Sequence, residues 1–320
     1  MAIAIVHSAG EWVARFGQHR NGTAVTIGNF DGVHLGHQKI LRNVLERAHA
    51  ANLTSAVLTF YPHPARVLRP EAAPALIETL DQRLAAIDAT GIDAAFVVRF
   101  DAELAKLTPE DFVQRFLVDA MRAKTVLIGG NFRFGHKQAG DAQMLGDLGR
   151  RLGFEVEIVP PVTADDVVVS SSAIRGALRD GKVDDARRML GRPFALAGKI
   201  QTGTGQGSKL VVPTLNLATE QELLPKSGVY ATEAVVGEKI YYAATNVGVR
   251  PTFDGSRTTI ESHLLDFNDA LTSGNLEVRF WARLRDERKF SSPAELREQV
   301  LRDINQARQY FHSPVHKSST

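Results

Sequence analysis

The sequence predicts an α/β chain of two domains: residues 1–190 as a parallel sheet with flanking helices, and residues 191–320 as a small antiparallel β-barrel with a terminal helix. Three observations predict it. Apolar runs of strand length alternate with helical patterns through the first part of the chain, as βα units do. The alternation stops at Leu190-Gly191-Arg192-Pro193-Phe194, and the strands beyond it follow one another without helices between them. A chain of 320 residues also exceeds one ordinary core and fits two.

Ala24 to Ile27 forms the end of a buried strand, and a helix follows from Leu35 with Leu41, Val44, Leu45 and Ala48 on one face. Further strands are expected at Ala56–Phe60, Ala94–Arg99, Thr125–Ile128 and Phe154–Val159. Between two of them, Thr108-Pro109-Glu110-Asp111 opens a helix with a capping Thr, Pro at the first helical position and acids in the first turn. It continues through Phe112, Phe116, Leu117 and Ala120. The barrel strands are expected at Phe194–Ile200, Leu210–Leu217, Gly228–Val236, Ile240–Val247, Thr258–Asp266 and Leu276–Leu284, with turns such as Gly237-Glu238 and Asn275. In the last helix Ser292 caps, Pro293 fills the first position and Glu295 completes a capping box. Leu296, Val300, Ile304 and Ala307 make its inward stripe.

Composition excludes several classes. Hydrophobic residues at 44% and charged residues at 23% are ordinary for a soluble globular protein. A net charge of +2 and a pI near 8.8 suit anionic ligands mildly, and no basic run with interleaved aromatics argues for nucleic acid. With no cysteine there is no disulfide, thiolate metal site or thiol chemistry. Residues 1–16 lack the pattern of a signal peptide and no apolar run is long enough to span a bilayer, so a cytoplasmic protein is expected.

The chemistry gathers at turns that follow strands. In Gly28-Asn29-Phe30-Asp31-Gly32-Val33-His34-Leu35-Gly36-His37 a Gly-rich turn leads into a helix whose unpaired N–H groups and dipole favour phosphate. His34 and His37, three apart, add donors on the same side. The pair alone also fits two surface histidines, or a metal pair lacking a further ligand. Tyr61-Pro62-His63-Pro64 is a stiff turn bearing aromatics, and Asn131 to Phe134 sets rings beside Gly, either as packing or to stack on a planar ligand, with Asn131 toward a ring edge or a ribose. Ser170, Ser171 and Ser172 open a helix, as alternative caps or as a second anion cradle with Arg175 able to fork two phosphate oxygens. In the second domain the amides of Gly203, Gly205 and Gly207 can line a phosphate, although Gly-rich hairpin turns are common.

These strings carry a resemblance. GNFDGVHLGH at 28–37 resembles the GxFDxxHxGH signature of nucleotidylyltransferases in its flavin-specific form, which implies a Rossmann-like sheet and AMP transfer from ATP with both histidines at the phosphates. Phe60 to Pro64 resembles that family's F-x-PHP element near the isoalloxazine, Gly129 to Asp141 its GxNFRFGxxxxGD loop, and Ser170 to Arg175 its SSTxxR motif, with Ser172 where Thr is usual. Val212-Pro213-Thr214-Leu215-Asn216 resembles the PTAN motif of riboflavin kinases, whose Thr and Asn hold phosphates and Mg²⁺. Glu261 lies in a string similar to ExHLLDF, whose Glu is the base for the ribityl hydroxyl, and Asn246 to Phe253 fits NxGxxPTF.

The resemblance implies the bifunctional riboflavin kinase/FAD synthetases, with ATP, riboflavin and FMN as substrates. Catalysis would fall to His34, His37, Arg175 and Glu261. Contacts to phosphate or flavin would come from Gly28, Asn29, Asp31, Gly36, Pro62, His63, Pro64, Asn131, Phe134, Ser170, Ser171, Ser172, Gly203, Gly205, Gly207, Thr214 and Asn216. The Val211–Leu215 lead-in departs from the usual pattern and lacks its Arg, so a chain with one live activity, or a flavin-binding protein without turnover, stays open.

Overall fold

The computed structural model describes residues 2–17, 21–201, 213–252, 255–267 and 271–313. The chain divides into two compact units, Met1–Ser171 and Ser172–Thr320.

The first unit runs β1 (Ala4–Val6), α1 (Ala9–Phe16), β2 (Thr23–Ile27), α2 (Leu35–Ala51), β3 (Thr54–Tyr61), α3 (Pro64–Leu68), α4 (Leu80–Asp88), β4 (Ala94–Arg99), α5 (Pro109–Phe112) and β5 (Ala123–Gly129). It continues with β6 (Arg133–Phe134), β7 (Gly140–Asp141), α6 (Ala142–Leu152), β8 (Glu155–Val159), β9 (Thr163–Ala164) and β10 (Val167–Val168). Six of these strands make one parallel sheet in the order β1-β4-β3-β2-β5-β8. β2 is buried throughout because it lies inside the sheet with both faces covered. Successive side chains alternate between faces. Val25 and Ile27 join a cluster with Trp12, Phe112, Phe116 and Leu145, whereas Ala24 joins Leu41, Val44 and Ala48 of α2. The helical segment expected from Thr108 forms, but only α5 is α-helical; Val113–Ala120 winds as π-helix, with Phe116, Leu117 and Ala120 still buried.

α7 (Ser171–Arg179) crosses the division between the units. The second unit continues with α8 (Val183–Leu190), β11 (Phe194–Gln201), β12 (Leu215–Ala218), β13 (Gly228–Val236), β14 (Lys239–Thr252), β15 (Gly255–Leu264), β16 (Asn275–Asp286) and α9 (Pro293–His312). Its strands close into an antiparallel barrel in the order β11-β12-β15-β14-β13-β16. The sequence places the domain boundary at 190/191, where alternation stops; the compact units part earlier in the chain, and α8 packs on β11 and β16.

The barrel interior carries a polar seam. The hydroxyls of Thr232, Thr245 and Ser262, all fully buried, are linked at 2.6 and 2.8 Å. α9 lies on the outer face, where Ile304, Ala307 and Phe311 pack on Ala231, Ala244, Trp281 and Ala282. Two local expectations change. Asn275 begins β16 instead of sitting in a turn. Ser292 caps α9 as expected, accepting from the Glu295 amide, but the Glu295 carboxylate reaches back to the amide and hydroxyl of Ser291. A long side chain can span one residue further than the capping-box pattern specifies.

Candidate active sites

In a parallel sheet, ligands bind beyond the carboxyl ends of strands where the strand order reverses. From β2 the chain adds β3 and then β4 on one side, and crosses back to place β5 on the other side of β2. The reversal therefore lies between β2 and β5, and it is flanked by the turns at 28–34 and 129–135.

The first turn is bent hard. Phe30 and Val33 take left-handed φ values of 52° and 34°, and Gly32, at 88°, supplies a third that costs a glycine little. Asp31, 2% exposed, anchors the bend: its carboxylate accepts from the Ile77 amide at 3.0 and 3.2 Å and from the Glu78 amide at 3.4 Å. At the end of the turn His34 caps α2, its Nδ1 accepting from the His37 amide at 3.3 Å. The rings of His34 and His37 stack at 3.7 Å between centroids and 16° between planes. Gly36 makes room for this fold-back, since a Cβ there would stand 3.1 Å from the His34 ring. His34 is buried and His37 half-buried.

Two further segments meet this turn. The Ser171 hydroxyl donates to the Asp31 carbonyl at 2.8 Å, and the Val169 carbonyl lies against Gly36. Thr59, near the end of β3, donates to the Asn29 carbonyl at 3.4 Å. The Pro turn then follows: Tyr61 is 48% exposed, Pro62 is half-buried, His63 caps α3 by accepting from the Ala65 amide at 3.2 Å, and Pro64 takes the first helical position. Beyond β5, Asn131 is exposed. Phe134 is buried against Phe112, and the half-buried Phe132 stacks on it at 5.4 Å. Phe132 is thus the ring nearer the surface, a distinction that adjacent aromatics in a sequence cannot show. Ser170 precedes α7 and Ser171 opens it; Ser172 and the buried Arg175 follow on the same helix, in the second unit.

In the barrel, strand register brings distant residues together. Asn216 on β12 pairs with Glu261 on β15, and Glu261 pairs in turn with Asn246 on β14. Directly paired residues share a face of the sheet, so an amide flanks the carboxylate on each side. Because Ser262 points inward, this row lies on the outer face. His263, two residues along, shares a hydrogen bond of 2.8 Å between its Nδ1 and the Pro213 carbonyl, which secures the chain just before Thr214. Thr214, Asn216, Glu261 and Asn246 are all half-buried. Asn246 opens the NxGxxPTF string but was not among the expected contact residues; strand register sets it beside Glu261. Gly203, Gly205 and Gly207 lie outside the described residues.

Among the described residues, no helix is long and apolar enough to cross a membrane, and no group of three or more His, Cys, Asp or Glu side chains could hold a metal ion. Thr214 and Asn216 instead offer a hydroxyl and an amide oxygen, hard donors that suit Mg²⁺ when nucleotide phosphates complete its shell.

Comparison with known proteins gives a consistent picture. Residues 17–173 match the FAD synthetase family and residues 190–311 match the riboflavin kinase family. The bifunctional riboflavin kinase/FMN adenylyltransferase of Escherichia coli K12 is 36% identical over 293 residues, 91% of this chain and 94% of that one. The same-named proteins of Pseudomonas fluorescens (36%, covering 94% and 96%) and Bacillus subtilis 168 (34%, covering 90% and 92%) are similar to it as well. A crystal structure described as a macrolide-efflux protein from Streptococcus pneumoniae superposes with a TM-score of 0.86 at 28% identity, covering 96% of this chain and 99% of that one. Two family matches in tandem, and relatives aligned across both, lead to one conclusion: the chain belongs to the family of bifunctional riboflavin kinase/FMN adenylyltransferases.

Proposed function

We propose that FMN is adenylylated at the carboxyl ends of β2, β3 and β5, within residues 1–190, and that riboflavin is phosphorylated on the outer face of the barrel, within residues 191–320. The chain makes flavin cofactor in two steps: riboflavin and ATP give FMN and ADP, then FMN and ATP give FAD and pyrophosphate.

In the adenylylation an FMN phosphate oxygen attacks the α-phosphorus of ATP and pyrophosphate leaves. The nucleophile is already an anion, so the protein's work is alignment and charge stabilisation. His34 accepts an amide hydrogen at Nδ1, which puts its own proton on Nε2 and leaves it a neutral donor. His37 stacks on that ring as the second donor. The backbone of Gly28, Asn29 and Gly36 lets phosphate come close, and Asp31 acts through the bend it anchors. Ser170, Ser171 and Ser172 present amides and hydroxyls at the start of α7, and Arg175 forks two phosphate oxygens. The flavin ring takes the turn of Pro62, His63 and Pro64 on one side and Asn131, Phe132 and Phe134 on the other.

In the phosphorylation Glu261 accepts the ribityl hydroxyl proton as that oxygen attacks the γ-phosphorus. Thr214 and Asn216 would hold Mg²⁺, which neutralises phosphate charge when bound. A cytoplasmic location fits this reading, since ATP is the donor in both steps.

One observation carries the adenylylation site: the hydrogen bond from Ser171 to the Asp31 carbonyl joins two anion-binding segments 140 residues apart at one sheet edge. The test is a time course of riboflavin, ATP and Mg²⁺ followed by mass spectrometry. FMN is expected to rise first and FAD with pyrophosphate to follow; no pyrophosphate would refute the reading.

A further inference from the structure

Arg83 carries costs that the fold alone does not explain. It lies in the first turn of α4 and is 0% exposed. Its Nη1 donates to the Phe60 carbonyl at 3.4 Å, while Nε and Nη2 have no hydrogen-bond partner among the described residues. Burying a guanidinium with two donors unmatched is expensive, and a cation near a helix N-terminus also opposes the helix dipole. Burial pulls the group down from its ordinary arginine range, against Asp31 and Glu78, whose carboxylates pull it up. A hydrophobic side chain of the same length would pack α4 without these penalties. Buried groups retained at such cost cluster where function needs them.

The neighbours show what is gained. The Phe60 carbonyl immediately precedes the turn of Tyr61 to Pro64. Asp31 anchors the 28–34 turn through the amides of Ile77 and Glu78, and the Thr79–Gln82 capping box then fixes the start of α4. One side chain, placed by a rigid helix start, thus holds the chain entering one turn and lies in the field of the carboxylate that shapes the other.

We propose that Arg83 is a positioning residue for adenylylation, setting the Tyr61–Pro64 turn against the phosphate-binding turn so that FMN is presented to ATP. The assignment rests on the adenylylation site described above and adds to it a residue that touches neither substrate. The contact to Phe60 lies on the flavin side, so the effect falls on FMN more than on ATP.

The test uses the full chain and measures KM for FMN, KM for ATP and kcat of FAD formation, with FMN formation from riboflavin as the internal control. In Arg83→Met, KM for FMN is expected to rise about tenfold while KM for ATP stays within about twofold. In Arg83→Lys, which keeps the charge but not the fork, the rise falls to about threefold; this variant keeps the test readable if the Met variant does not fold. A purely structural role would lower the active fraction, hence kcat, and leave both KM values alone. Unchanged KM for FMN in the folded variants, or equal rises for both substrates, overturns the proposal. His37→Ala separates the two levels: if it leaves FAD formation intact, the site itself is misplaced, whereas a crippled His37→Ala beside an unaffected Arg83→Met defeats only the role of Arg83.

Discussion

His34 caps α2 with one ring nitrogen, and in the proposed site the other faces phosphate. Nδ1 closes the start of α2 by accepting the His37 amide, which sets the proton on Nε2. His37 stacks on this ring, and the cap uses the amide of His37, not its side chain. Its replacement should therefore leave the helix cap in place while removing one transition-state donor. In His37→Ala, FAD formation is expected to fall about 10²–10³-fold, with FMN formation unchanged; equal loss of both activities would contradict separate sites. Glu261→Gln is the counterpart in the barrel. Losing the proposed general base should cut FMN formation about 10²–10⁴-fold, whereas FAD formation from added FMN persists. The residues behind both predictions were legible in the sequence because their motifs are compact. Asn246 and Phe132 also lie in such motifs, but that Asn246 stands beside Glu261 and that Phe132 is the ring nearer the surface follow from register and burial, which local sequence does not contain.

At the scale of elements, α9 shows how a cap and a charge are coupled. The Ser291 amide and hydroxyl hydrogen-bond the Glu295 carboxylate and hold its pKa below the usual range. A carboxylate depressed in the folded state adds stability that is present above its unfolded pKa of about 4.3 and is lost as pH falls through the folded value. Thermal unfolding of Glu295→Gln against the parent should therefore show the full difference in Tm at neutral pH, closing as pH drops through that window; a difference constant with pH would mean the contact is not ionic. The strands and helices around the parallel-sheet turns form within a few residues of where their apolar patterns put them. The strand expected at Leu210–Leu217 begins at Leu215, and residues 210–212 lie outside the described ones. The π-helical winding of Val113–Ala120 was not expected, because its buried side chains read equally well on a regular helix.

At the scale of the molecule, two activities in one chain can act independently or depend on a shared path. The residues assigned to each belong to separate motifs, and the proposed intermediate, FMN, is stable in solution. Mixing His37→Ala with Glu261→Gln should thus restore conversion of riboflavin to FAD, each chain supplying the step the other lacks. The rate should rise with protein concentration because FMN must diffuse between molecules. No recovery, with each partial activity intact, would show that FMN passes only within one chain.

Strand–helix alternation and the barrel strands are written in consecutive residues, so local propensity sufficed to read a parallel sheet followed by a barrel, and the strings at the turns sufficed to carry the family resemblance. What packing had to decide was which distant segments meet: Ser171 on the Asp31 carbonyl, Asn216 and Asn246 on either side of Glu261, Arg83 on the Phe60 carbonyl. Those contacts arise from strand order and register, which depend on how whole faces bury one another, and burial is a property of the folded chain that no single stretch of it contains.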